Sequence, residues 1–204
     1  MTSIRPFLSV VLLLINFALP TRCSSQGTVI FSNAGAPGAV TDSLTGRPAE
    51  VGTTFSVALY FAQDGSTGAS QLVQIGTAIY LNFSPGYFND GVYTAPTTIP
   101  GGFGMFQVRV WETSFGSTYE QAAANVVPQN GRLALAGESG ILRVMTGNPT
   151  ADPPTPPATL VGWPAVAGAP LRDGFVLYVV PEPGSFLILL LAVPWLAVGH
   201  RLRR

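Results

Sequence analysis

Four stretches of the chain carry alternating or continuous apolar residues: 53–61 (TTFSVALYF), 74–83 (QIGTAIYLNF), 103–111 (FGMFQVRVW) and 174–180 (GFVLYVV). Each is rich in β-branched and aromatic side chains and has Gly, Asn, Asp or Pro near its ends, which predicts strands. Residues 103–111 show the period of two most fully, because Phe106, Val108 and Val110 alternate with Met105, Gln107, Arg109 and Trp111. One face is apolar and the other mixed, so a half-buried strand is expected. Weaker patterns at 27–32 and 139–145 predict two more strands, and only 119–125 (YEQAAAN) reads as a short helix. Short strands punctuated by Gly and Pro predict an all-β fold, an antiparallel β-sandwich of jelly-roll-like build.

Seven prolines between Asn148 and Pro170 interrupt this pattern and have the composition of a linker. The run at 174–180 behind them is too apolar to be left in water. The proline-rich stretch is therefore expected to be a long crossing loop inside the domain, with the last strand returning to pair in a sheet.

The two ends carry continuous apolar runs. Arg5 precedes a run over 7–19, Pro20 closes it, and Cys23, Ser24 and Ser25 follow. This is the layout of a secretory signal over residues 1–25, removed by signal peptidase. Cys23 raises a lipoprotein reading, against which Arg22 occupies the place where a small residue is wanted. At the other end Pro181, Glu182 and Pro183 precede an apolar run over 186–198 and a basic cluster of Arg201, Arg203 and Arg204. The prolines lack an amide proton and fix φ, so they stop a strand. The uncharged run suits a transmembrane helix, and the arginines hold its far side in the cytoplasm, leaving 26–180 outside. A full crossing needs about 20 residues, so with Pro194 inside it this run must borrow flanking residues or thin the bilayer.

In order and placement, Pro181-Glu182-Pro183, the apolar run and the three arginines resemble the PEP-CTERM tail, the sorting signal of Gram-negative bacteria processed by exosortase, a membrane-embedded cysteine peptidase. The resemblance implies a protein held briefly in the inner membrane with its C-terminus cytoplasmic. It is then cut near 181–183 and passed to the cell surface or the extracellular polymer matrix. Exosortase and the secretion machinery are the implied partners, with exopolysaccharide as the surroundings. An anchor that is never cut is the alternative reading of the same residues. More loosely, the opening 27–33 (GTVIFSN), the strand at 53–61, Pro100-Gly101-Gly102 ahead of 106–112 (FQVRVWE), Tyr119-Glu120 and Gly137-Glu138-Ser139 are similar to planctomycete and verrucomicrobial surface proteins that carry this tail. That likeness implies a sandwich and no defined chemistry.

Composition narrows the chemistry of the middle. Residues 26–180 have the length of one domain and hold five arginines and nine carboxylates, a net charge of −4. The chain has no lysine, so a nucleic-acid partner is not expected. The single cysteine, Cys23, leaves with the signal, and the single histidine, His200, lies beyond the apolar run. A Ser-His-Asp triad, a histidine metal site and cysteine or lysine nucleophiles are thereby excluded from the exported domain. Carboxylate chemistry survives: Glu112, Glu120, Asp64 and Asp90 are the groups from which a glycosidase pair would be drawn. Their alternative role is as strand-end and turn residues that keep the domain soluble. Asn89-Asp90-Gly91 and Asp64-Gly65-Ser66 offer oxygen ligands beside glycine but fall short of a calcium loop, so turn chemistry explains them and no metal or cofactor is expected. Tyr87, Phe88, Tyr93, Phe103, Trp111, Phe115 and Tyr119 crowd the centre of the sequence. They are core residues or, if exposed, stacking groups for sugar rings. Trp111, Arg109 and Glu112 on the mixed face are the candidate carbohydrate-binding residues. Asn82-Phe83-Ser84 matches a glycosylation sequon, to which a bacterial tail gives little meaning. The expectation is a non-enzymatic exported protein, with a carbohydrate-binding module second and a carboxylate glycosidase third.

Overall fold

The computed structural model describes residues 26–35, 38–160 and 174–180. The expected signal helix (1–25) and the sorting tail with its transmembrane helix (181–204) lie outside the described residues. Among those described, the chain is all-β, with eleven strands and one short α-helix. The strands are β1 (Gly27–Ser32), β2 (Val40–Asp42), β3 (Arg47–Pro48), β4 (Gly52–Gln63), β5 (Val73–Leu81), β6 (Asn89–Ala95), β7 (Phe103–Glu112), β8 (Leu135–Glu138), β9 (Leu142–Met145), β10 (Ala158–Thr159) and β11 (Phe175–Val179). The helix, α1, spans Tyr119–Ala124 and starts where Thr118 accepts the Gln121 amide at 3.2 Å, an N-cap that satisfies one of its free donors.

Two sheets form. The smaller runs β10-β1-β6 and the larger β3-β2-β11-β8-β7-β4-β5, with β9 continuing beside β7 beyond β8. Their apolar faces share one core: Val29 and Phe31 of the small sheet meet Val57, Leu59, Phe61, Val108, Val110 and Leu177 of the large one. Each such side chain contributes roughly 1.5–3 kcal/mol when removed from water. The expected antiparallel pairing holds for most neighbours but not all. β1 pairs with β10 and β11 with β2 in parallel. Both are joined through long segments of chain, and only a long connection lets a strand return in the same direction.

The reading of 103–111 as half-buried is corrected by the structure, where Phe106 through Glu112 are all buried. The mixed face of β7 is covered by the segment that follows it. The 3₁₀ turn Thr113–Phe115 and α1 fold back, so that Phe115 and Ala122 pack with Trp111, Tyr60, Ala58 and Ala136 in a second core. The strand expected over 139–145 begins at Leu142, and β8 precedes it on the same edge of β7. Between them the register slips by one residue at Ser139. There the Ser139 amide donates to the Val108 carbonyl at 2.8 Å and its hydroxyl accepts the Val108 amide at 3.0 Å, replacing the missing ladder bond.

The apolar run at 174–180 does return to a sheet. β11 lies between β2 and β8, with Leu177 fully buried. The proline-rich stretch before it contributes β10 to the small sheet. The strand registers bring the ends of β2, β5, β7 and β11 and the starts of β3, β4 and β8 to one end of the large sheet. The chain leaves the domain at that end, which is called the exit end below.

Candidate functional site

Among the described residues Arg109 is the most enclosed ion. Its backbone lies mid-strand in β7, and α1 closes over it from outside. Its guanidinium carbon stands 4.2 Å from the Tyr60 ring centre and 5.0 Å from that of Tyr119, a cation held between two aromatic faces. Its nitrogens donate to Glu120 at 2.9 Å, to Gln107 at 2.9 Å and to the Ala69 carbonyl at 3.3 Å, with Glu138 at 3.4 Å. Burial, then the hydrogen bond to Glu120, pushes the Tyr60 hydroxyl well above its ordinary pKa, and burial also raises that of Tyr119. A guanidinium with this many partners has little capacity left for a ligand. It pins α1 to the sheet.

The candidate carbohydrate-binding set is not assembled as a surface. Trp111 has no exposed area and donates its indole N–H to the Gly116 carbonyl at 2.9 Å. Arg109 and Glu112 are buried with it. The side of β7 that sequence marks as mixed is covered by residues 113–134, so no ring of this set is open for stacking on a sugar.

The four candidate acid groups are likewise dispersed, each with its own partner. Glu112 accepts both terminal nitrogens of Arg132, at 2.6 and 2.8 Å, and the Leu135 amide at 3.3 Å. Glu120 faces Arg109. Asp64 accepts two bonds from Arg143, at 2.7 and 2.9 Å, and these hydrogen bonds hold its carboxyl below the usual carboxylate range. Asp90 accepts the Tyr93 hydroxyl at 2.6 Å. The two loops weighed for calcium use these same acids: Asp64 is taken by Arg143, and Asn89 pairs with Asn82 through two bonds of 2.9 and 3.0 Å. Among the described residues no group of three or more metal-ligating side chains gathers.

What sequence reasoning missed lies at the exit end. A cavity of about 580 Å³ opens there between the β2–β3 hairpin and the start of β4, lined by Asp42, Leu44, Arg47, Glu50, Phe55, Arg132 and Leu135 among others. The hairpin turn is fixed by Asp42, whose carboxylate accepts the Leu44 amide at 2.7 Å. Leu44 and Val51 are exposed beside the opening, as are Phe83 in the loop that follows β5 and Val126 and Val127 in the loop that Asn125 and Gln129 tie to the Phe115 and Ser114 carbonyls just past the end of β7. Residues 42–55 are one stretch of chain, and the register of the large sheet sets them beside residues 132–135 and the end of β5. Beside them Val180, the last described residue, donates its amide to the Ala134 carbonyl at 2.9 Å.

Comparison of the chain with protein families, with curated proteins and with solved structures gives no match.

Proposed function

We propose that this chain is an exported, non-enzymatic surface protein sorted through its C-terminal tail. Signal peptidase removes residues 1–25. Residues 26–180 form a β-sandwich, its two sheets arranged in a jelly-roll-like way. Residues 181–204 form a tail of the PEP-CTERM kind, which arrests the protein in the inner membrane and presents Pro181, Glu182 and Pro183 to exosortase. The cut domain passes to the cell surface or the extracellular polymer matrix.

One observation carries this reading beyond the tail's own sequence. β11 spans Phe175–Val179 and the Val180 amide donates to the Ala134 carbonyl, so the sheet pairing of the domain reaches the residue just before Pro181 and leaves no spacer ahead of the motif. A cut within 181–183 would then spare every described contact of the domain. A stalk separating domain from membrane, as a receptor would carry, has no room in the sequence.

The test is intact-mass analysis of protein from the membrane, surface and medium fractions of its host, for the natural chain and for Glu182→Ala. A mass ending near 181–183 for the natural chain, with an uncut and still exported Glu182→Ala protein, is expected. A natural chain running through to Arg204 in the membrane, or normal processing of the variant, would overturn the assignment.

A further inference from the structure

We infer that the exit end of the large sheet rests on the phospholipid surface while the tail is uncut, with the loops around Val127, Leu44 and Phe83 entering the interface. This rests on the proposed membrane-spanning tail. The first support is reach. Phe186, where the apolar run starts, is six residues beyond Val180, so at about 3.4 Å per residue it lies no more than about 20 Å away. β4 has twelve residues and is therefore about 40 Å long at ~3.3 Å per residue. The exit end can thus reach the bilayer whenever the tail is inserted, and the opposite end is carried away from it.

The second support is what this end presents. Val127 and Phe83 are 65% and 61% exposed, and Leu44, Val51 and Val126 are exposed around them. Exposure alone does not select this end, because Ile99 at the opposite end is 75% exposed and Met145 stands beside it. Tether length separates two otherwise similar apolar ends, which supplies an internal control.

Charge fixes the kind of contact. Asp42, Glu50 and Glu112 at this end outnumber Arg47 and Arg132. Attraction to anionic headgroups is therefore absent as a driving force, and apolar partition remains. Arg47 enters no ion pair among the described residues and is available to a headgroup phosphate, which every phospholipid carries. Association should thus be insensitive to the share of anionic lipid and nearly insensitive to salt.

The experiment uses residues 26–204, the form left once the signal is removed and before the tail is cut, carrying one new cysteine at a time: Val127→Cys, Leu44→Cys, Ile99→Cys, or Leu190→Cys in the tail. Each is labelled with an environment-sensitive fluorophore and reconstituted in phosphatidylcholine vesicles containing acyl-chain nitroxide lipid, with and without phosphatidylglycerol. Strong quenching at 190, several-fold stronger quenching at 127 and 44 than at 99, and no dependence on phosphatidylglycerol are expected. Quenching at 190 without quenching at 127 and 44 would overturn this inference and leave the sorting assignment standing. Equal quenching at 99 would mean indiscriminate adsorption and overturn it too. Absence of quenching at 190 would remove the membrane-spanning tail itself, and this inference with it. Quenching at 127 and 44 only when phosphatidylglycerol is present would replace apolar partition by charge and refute the contact as described. The same preference for the exit end on soluble polysaccharide, read as a fluorescence change without vesicles, would point to a glycan surface instead.

Discussion

The Val180 amide donates to the Ala134 carbonyl at 2.9 Å, and the next residue, Pro181, has no amide to continue the ladder. β11, which ends here, is an interior strand between β2 and β8. A chain of residues 26–180 should therefore melt cooperatively, whereas one ending at Asp173 should not. The shorter chain loses the fully buried Leu177 and all pairing that joins the β2–β3 hairpin to β8. Burial of Leu177 contributes roughly 1.5–3 kcal/mol, and the half-buried Phe175 and Val179 each contribute a fraction of that, before any hydrogen bond is counted. Together they are a substantial share of the roughly 5–15 kcal/mol by which whole domains are stable. Circular dichroism and denaturant titration of both chains check this, and a folded chain ending at Asp173 would contradict it.

The strands that carry the core were legible because their periodicity is local. β4, β5, β7 and β11 fall within two residues of the runs at 53–61, 74–83, 103–111 and 174–180 at every end, and the helix at 119–125 became Tyr119–Ala124. β2, β3, β6, β8 and β10 were not legible, because they are two to seven residues long and get their extended form from their neighbours. The covering of β7's mixed face was hidden for a similar reason, since it depends on where residues 113–134 fold. A signal did exist in the partner strand: 55–62 (FSVALYFA) is apolar on both faces, the mark of a strand buried on both sides. Weighing β4 with β7 would have enclosed Arg109 and Trp111. The exit-end cavity had no comparable signal, because its lining joins residues 42–55 to residues 132–135, which only the sheet register brings together.

Trp111 is a structural residue here, and its substitution should report on stability. Trp111→Ala should cost about 3–5 kcal/mol as a large cavity opens in the second core. Trp111→Phe should cost less, about 1–3 kcal/mol, chiefly from the lost bond to the Gly116 carbonyl. Urea titration measures both. With Trp163→Phe and Trp195→Phe in the background, Trp111 emission should be blue, poorly quenched by acrylamide and unmoved by added oligosaccharide. A sugar-dependent change would restore a binding role for this face.

Three tyrosines set the alkaline limit. Burial is the largest cause raising the hydroxyl pKa values of Tyr60, Tyr93 and Tyr119, followed by Glu120 for Tyr60, Asp90 for Tyr93 and Glu138 for Tyr119. Since an unfolded tyrosine ionises near pH ~10, the unfolded chain releases these protons first and the folded state holds more protons above that pH. Their contribution is therefore complete below about pH 10 and is lost as pH rises toward the folded values. Denaturant midpoints should be flat up to about pH 9 and fall steeply above pH ~10. Tyr60→Phe and Tyr93→Phe should each lower the starting stability and flatten the fall. An unchanged slope in both variants would assign the alkaline transition to other groups.

Gly76 and Tyr93 form the seam where the edge of the large sheet meets the small one, and a double-mutant cycle should show it. Gly76 has φ +66°, and a methyl group there would meet the Tyr93 ring at 1.9 Å. The ring cannot swing aside freely, because its hydroxyl donates to the Asp90 carboxylate at 2.6 Å and lies 3.1 Å from the Thr77 carbonyl. Gly76→Ala therefore carries two costs. Left-handed backbone strain costs about 1–2 kcal/mol, and displacement of Tyr93 adds about 1–3 kcal/mol in line with overpacking elsewhere. In a Tyr93→Ala background only the strain remains, so Gly76→Ala should be cheaper there by about 1–3 kcal/mol, the coupling expected of residues in direct contact. Urea unfolding of the four proteins gives that coupling directly. Additive costs would mean that Tyr93 does not fill the space over Gly76, and that the two sheets are joined at this edge by something other than its ring.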